Sequence, residues 1–157
     1  MHSSEIFHLI AERNYEVIKL QTKDLSNEES LIQPPFRGNC LNWVLGHITY
    51  FRSRLLRTLG EPADWLEGQI HRYQRESEPI TGATEDVLSL DQLLNLLEQS
   101  QERIVAALQQ LPAESLQVVK NEKTVEELLT LLQWHETYHI GQLEFLRQLT
   151  EKDDKVI

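Results

Sequence analysis

The stretch "TVEELLTLLQWHETYHIGQLEFLRQL", residues 124–149, reads as one long helix. Thr124 followed by Glu127 is a capping box, each side chain accepting from the other residue's backbone N–H. At about 100° per residue, His135 and His139 stand roughly 40° apart. Leu128, Leu132, Leu143 and Leu146 fall on the same side, which places both imidazoles in the apolar stripe. A stripe of this length needs other helices to cover it.

Three more segments supply them. Residues 4–24 carry Ile6, Ile10, Val17 and Leu20 at helical spacing, and "LSNEESLIQPPFRGN" then breaks the pattern with Pro34-Pro35. A second helix spans residues 39–59, with Gly60 as its C-cap and Pro62 just beyond. A third begins at Ser89, capped with Gln92, and ends before Pro112, with Leu93, Leu97, Ile104, Leu108 and Leu111 on one stripe. No strand is expected; "LQVVKN" at 116–121 is too isolated to build a sheet. The expected fold is all-α: a four-helix bundle, residues 1–157 as one domain, with a long crossover between the second and third helices. That crossover runs from about residue 60 to 85, with a short helix within residues 64–75.

Composition narrows the function. Fifteen basic against 25 acidic residues give a net charge of −10, which repels phosphate backbones and anionic lipid. No nucleic-acid or membrane partner is therefore expected. Cys40 alone cannot form an internal disulfide, and "MHSSEIFHLI" lacks the basic start and long apolar run of a signal peptide. A soluble cytoplasmic protein is expected, with a frayed polar tail at "EKDDKVI".

Two imidazoles one turn apart on a buried stripe each bring a donor and an acceptor that need partners, and a metal ion is the favoured one. His47, near Cys40, Val44 and Phe51 on the second helix, is the natural third ligand, since bundle sites are built from facing helices. His2, His8 and His71 read as surface residues. Three histidines with open positions form a catalytic type of site, suited to zinc but also to nickel, iron or copper. Such a metal activates either a bound water or a bound thiol.

"HETYH", residues 135–139, also matches the HExxH string of zinc peptidases. That reading is poor. Gln142 and Phe145 occupy the places of the glycine and third histidine of the extended motif, and Glu144 and Glu151 lie too close to serve as a later ligand. Glu136, about 60° from His139, is a candidate base toward a metal-bound water. Gln142, one turn beyond His139, is a candidate to orient a ligand or to touch substrate. Each has a plainer alternative, as a solvated or ion-paired glutamate and as a boundary amide. Cys40 reads best as a small buried hydrophobe.

"NWVLGHITYFRSRLL" and "WHETYHIGQLEFLRQL" together resemble the DinB superfamily, also called YfiT-like metal-dependent enzymes. The shared pattern is a histidine early in the second long helix, then H-x-x-x-H-x-G-Q-L on the last. The resemblance implies a four-helix bundle with a long crossover, often a homodimer, holding a divalent metal (Zn, Ni or Fe) on His47, His135 and His139. It also implies a small-molecule substrate, with relatives that include thiol-dependent transferases and isomerases and others labelled hydrolases.

Three functions follow as expectations. The first is activation of an external low-molecular-weight thiol for transfer to a small electrophile. The second is hydrolysis by metal-bound hydroxide with Glu136 as base. The third is a non-catalytic, stress-related metal-binding bundle. The first is slightly favoured.

Overall fold

Capping boxes set where two of the four long helices begin. The computed structural model describes residues 3–152; the expectations for His2 and for the tail beyond Lys152 lie outside them. The four expected helices are α1 (Ser3–Thr22), α3 (Leu41–Thr58), α5 (Leu90–Gln110) and α6 (Val125–Gln148). Ser89 accepts from the Gln92 N–H and Thr124 from the Glu127 N–H, with reciprocal bonds of 2.8 and 2.7 Å from the Ser89 and Thr124 backbones. At the end of α3, Gly60 takes φ +88°, its N–H bonds to Arg57 O, and the Glu61 N–H bonds to Leu56 O. This paired closure needs a left-handed residue, and glycine occupies it without a Cβ penalty.

Two elements correct the sequence reading. A third capping box, Ser26 with Glu29, starts the short α2 (Asn27–Ser30) inside the segment expected to be broken. A minimal hairpin also forms, with β1 (Val119–Lys120) antiparallel to β2 (Lys123–Thr124). Asn121 and Glu122 at its tip both have positive φ, as a tight two-residue hairpin turn requires. Two-residue strands are too short for alternation to show. The crossover holds α4 (Asp64–Ile70) and a 3₁₀ turn at His71–Tyr73, both packed on α3.

Around the bundle the order is α1, α5, α3, α6, so α1 and α3 each pack against both α5 and α6. The core face of α5 is the one expected, with Leu93, Leu97, Ile104 and Leu108 buried, whereas those of α1 and α6 are partly rotated. In α1 the buried side chains include Phe7, Ala11, Val17 and Ile18, while Ile6 and Leu20 are exposed. In α6 the core line is Val125, Leu129, Gln133, Glu136, Ile140, Leu143 and Arg147. His135 and His139 therefore sit half-buried on its flank, beside half-buried Leu128 and Leu132, and not in the centre of the stripe. Polar residues caused the error, because they occupy core positions that a count of apolar residues passes over. Gln133 donates to Phe7 O at 2.7 Å, Arg147 to Lys23 O at 2.8 Å, and Arg52 to both oxygens of Glu136. No helix of the described residues is long and apolar enough to cross a membrane.

Candidate metal centre

The α3–α6 packing brings His47 of α3 to His135 and His139 of α6. One ring nitrogen of each lies within 4.8 Å of those of the other two. The Nε2 atoms of His135 and His139 are 3.2 Å apart. That is close to the roughly 3.4 Å expected between two nitrogens bound tetrahedrally to one zinc.

Hydrogen bonds behind the rings fix which nitrogen faces inward. His47 Nδ1 donates to the Tyr73 carbonyl at 2.8 Å. His139 Nδ1 donates to Gln142 Oε1 at 2.8 Å. Both rings are thereby left with an Nε2 lone pair, the form in which imidazole binds metal. His135 is different: its buried Nδ1 has no hydrogen-bond partner among the described residues. If its Nε2 donates to His139, that Nδ1 lone pair stays unsatisfied; if its Nε2 is bare, two lone pairs face each other. A cation among the three nitrogens removes the clash of the facing lone pairs and leaves only the His135 Nδ1–H without a partner among the described residues, so the donor set fits a divalent metal.

Burial keeps the rings neutral. It pushes His47 down to about 4, with lesser contributions from His139 and Arg75, although the bond to Tyr73 opposes the shift. Burial likewise pushes His135 down to about 4, helped by His139, His47 and Arg54. His139 is lowered by burial and partly restored by Gln142. At neutral pH no proton competes strongly for these nitrogens.

Aromatic rings hold the imidazoles in place. Trp43, one turn before His47, stacks on it at 4.6 Å, and Phe51, one turn after, lies 3.8 Å from His135. The Tyr73 carbonyl is itself anchored. The Tyr73 hydroxyl donates to Asn42 Oδ1 and accepts from the Leu88 N–H, while Asn42 Nδ2 donates to Leu88 O. Burial pushes that hydroxyl up to about 12, so it remains a donor. A Cβ on Gly46 would stand 2.1 Å from the Tyr73 ring, so only glycine lets the crossover lie this close to α3.

Sequence reasoning missed Tyr73, Asn42 and Gly46. A glycine in mid-helix next to a candidate ligand was the available signal, since it costs helix stability unless something packs there.

A cavity of about 980 Å³ opens over the three histidines. Gln142 lines it, as do Trp134, Tyr138 and Phe145. Glu136 does not line it. Its carboxylate is buried and bidentate with Arg52, at 2.7 and 3.2 Å, on the core side of α6. The candidate base is thus not brought to the site, because the rotation of α6 turns it inward. Cys40 is also away from the cavity, fully buried at the N-cap of α3, where burial pushes its thiol up. His71 is exposed, and His8 lies near Glu12 on α1.

Comparison with known proteins agrees with this architecture. The family model of the DinB superfamily matches residues 11–143. A crystal structure of a conserved protein from Enterococcus faecalis has a similar fold, with TM-score 0.75 and 17% identity, over 96% of this chain and 98% of that one. No curated protein matches the chain.

Proposed function

This chain belongs to the DinB superfamily, and from that premise we propose a divalent-metal-dependent enzyme that joins an external low-molecular-weight thiol to a small electrophile. The observation that carries the reading is the inward convergence of three neutral imidazoles, two of them with their Nδ1 hydrogens held outward by Tyr73 O and Gln142 Oε1. A divalent cation on His47, His135 and His139 supplies Lewis acidity, which favours the deprotonated form of a thiol.

The choice of thiol over water rests on what lines the cavity. Among the described residues no aspartate or glutamate does, so no carboxylate is positioned as the base that the hydrolytic reading assigned to Glu136. A thiol needs less help, because its ordinary pKa near 8.5 lies much closer to neutrality than that of water. The nucleophile comes from outside, since the chain's one cysteine, Cys40, is sealed in the core. In balanced form the thiol RSH and an electrophile R′X give RSR′ and HX. The carbon–sulfur bond forms as the leaving group departs with its electron pair, and the proton passes to solvent.

The test pairs metal analysis with turnover. Wild type, His47→Ala and His139→Ala, purified without a chelating tag and reconstituted with zinc, nickel or ferrous iron, are analysed for bound metal. Conjugation of glutathione or cysteine to 1-chloro-2,4-dinitrobenzene is then followed by absorbance. About one equivalent of metal is expected in wild type, with metal and turnover lost in both variants. A wild type that takes up no metal would sink the proposal, as would turnover unchanged in the variants.

A further inference from the structure

The charge of the cavity is opposite to that of the chain. Twenty-five of the 157 residues are acidic, yet none of those among the described residues lines the cavity, whereas Arg37, Arg54 and Arg75 all do. Of the remaining arginines, all but Arg103 are held by oxygen acceptors of the described residues. Arg13, Arg52, Arg57 and Arg72 each have a carboxylate partner. Arg147 holds backbone carbonyls, and Arg103 lies over the Trp65 ring. Arg37, Arg54 and Arg75 form no ion pair with any described residue, although Arg54 rests over the Phe51 ring.

On a surface of net charge −10, a guanidinium ordinarily finds a carboxylate nearby. Leaving three unpaired around one concavity concentrates positive potential where field lines are focused by low-dielectric walls. Arg54 and Arg75 line the same cavity as His47, His135 and His139. An adjoining cavity of about 560 Å³ shares Phe51, Arg54, Trp134 and His135; it adds Lys120 and Lys123 and again no acidic residue.

Between these charges the walls are aromatic. Tyr50, Phe51, Trp134, Tyr138 and Phe145 line the cavity, and Trp134, Tyr138 and Phe145 are each more than half exposed. Planar apolar walls take a planar or apolar body, while guanidinium groups take a carboxylate in paired hydrogen bonds.

We propose that this cavity selects a small organic anion, its apolar body against Phe51, Trp134 and Tyr138 and its acidic group met by Arg54 and Arg75. The inference rests on reading the cavity as the reaction site and assigns the substrate class to it.

Three probes of matched shape test it by isothermal titration calorimetry: phenylacetate, phenylacetamide and 2-phenylethylammonium. They are titrated into zinc-loaded and metal-free wild type, and into an Arg54→Gln/Arg75→Gln variant, with zinc content measured alongside. In wild type phenylacetate should bind roughly tenfold more tightly than the amide, and the ammonium more weakly still. In the double variant the preference should fall to within about threefold, with zinc content unchanged. An anion preference that survives the double variant would overturn the proposal, because the metal or the wider field would then carry it. Equal binding of the three probes, or no binding of phenylacetate, would overturn it too. A wild type that takes up no zinc yet keeps an arginine-dependent anion preference supports this inference while sinking the metal-dependent reading. Zinc uptake without that preference does the reverse.

Discussion

At the scale of single residues, the site works by controlling which nitrogen of each ring points inward. Gln142 Oε1 accepts the Nδ1 proton of His139 and so directs its Nε2 lone pair to the centre. Gln142→Leu keeps the side chain's bulk and removes that acceptor. The free ring can then turn or adopt the other tautomer, and metal affinity should fall by about 10- to 100-fold. Competition against a chromophoric chelator measures this, with Gln142→Glu as the variant that retains an acceptor. Equal affinity in wild type and Gln142→Leu would show that Gln142 does not orient the ligand. Much of this was legible in the sequence, because His135, His139 and Gln142 are fixed relative to one another by the helix itself. The Tyr73 carbonyl was not, since any residue offers a carbonyl and only the path of the crossover brings this one to His47.

At the scale of elements, the site depends on the register of α3 against α6. Arg52, five residues beyond His47 and so on a different side of α3, reaches into the core to hold Glu136, the neighbour of His135, and also donates to Leu97 O of α5 at 3.2 Å. The glutamate of HETYH is therefore the anchor that ties the two ligand-bearing helices together. It could not be read as such, because a count of apolar residues treats a glutamate as surface or function. Removing one partner strands the other charge in the core, so Arg52→Met or Glu136→Leu should each cost about 3–5 kcal/mol. Exchanging both for apolar residues, as Arg52→Met/Glu136→Leu, should cost clearly less than the sum. Urea unfolding of the four proteins gives the cycle, and strict additivity would mean that the pair is not coupled.

Gly46 makes the same point for α3 and the crossover. Gly46→Ala drives a methyl group into the Tyr73 ring. It should destabilise the fold by about 1–3 kcal/mol and weaken metal binding through displacement of the Tyr73 carbonyl. A variant with wild-type stability and metal affinity would show that the crossover can shift freely.

At the scale of the whole molecule, holding one buried and two half-buried neutral imidazoles between α3 and α6 couples the bundle's stability to pH and to metal. His47 and His135 are both pushed from the ordinary 6.5 down to about 4. Below pH 6.5 the unfolded chain therefore takes up protons that the folded chain refuses, and stability falls with pH until the folded rings titrate near 4. A displacement of this size at fully buried His47 corresponds to a loss of about 3 kcal/mol across that interval in metal-free protein. Replacing that ring in His47→Gln should flatten the curve between pH 6.5 and 4, leaving the carboxylate contributions unchanged. A bound metal acts in the opposite sense. It binds only the folded constellation of deprotonated rings, so at neutral pH a hundredfold excess over Kd adds about 2.7 kcal/mol. That increment should shrink as the pH falls, because protons then compete for the same nitrogens. Calorimetric scans of the metal-free and zinc-loaded protein from pH 4 to 8 should give two curves whose separation is widest at neutral pH and narrows toward pH 4. Curves that coincide throughout, or a separation that persists unchanged at pH 4, would show that the histidines neither hold the metal nor carry this part of the pH dependence.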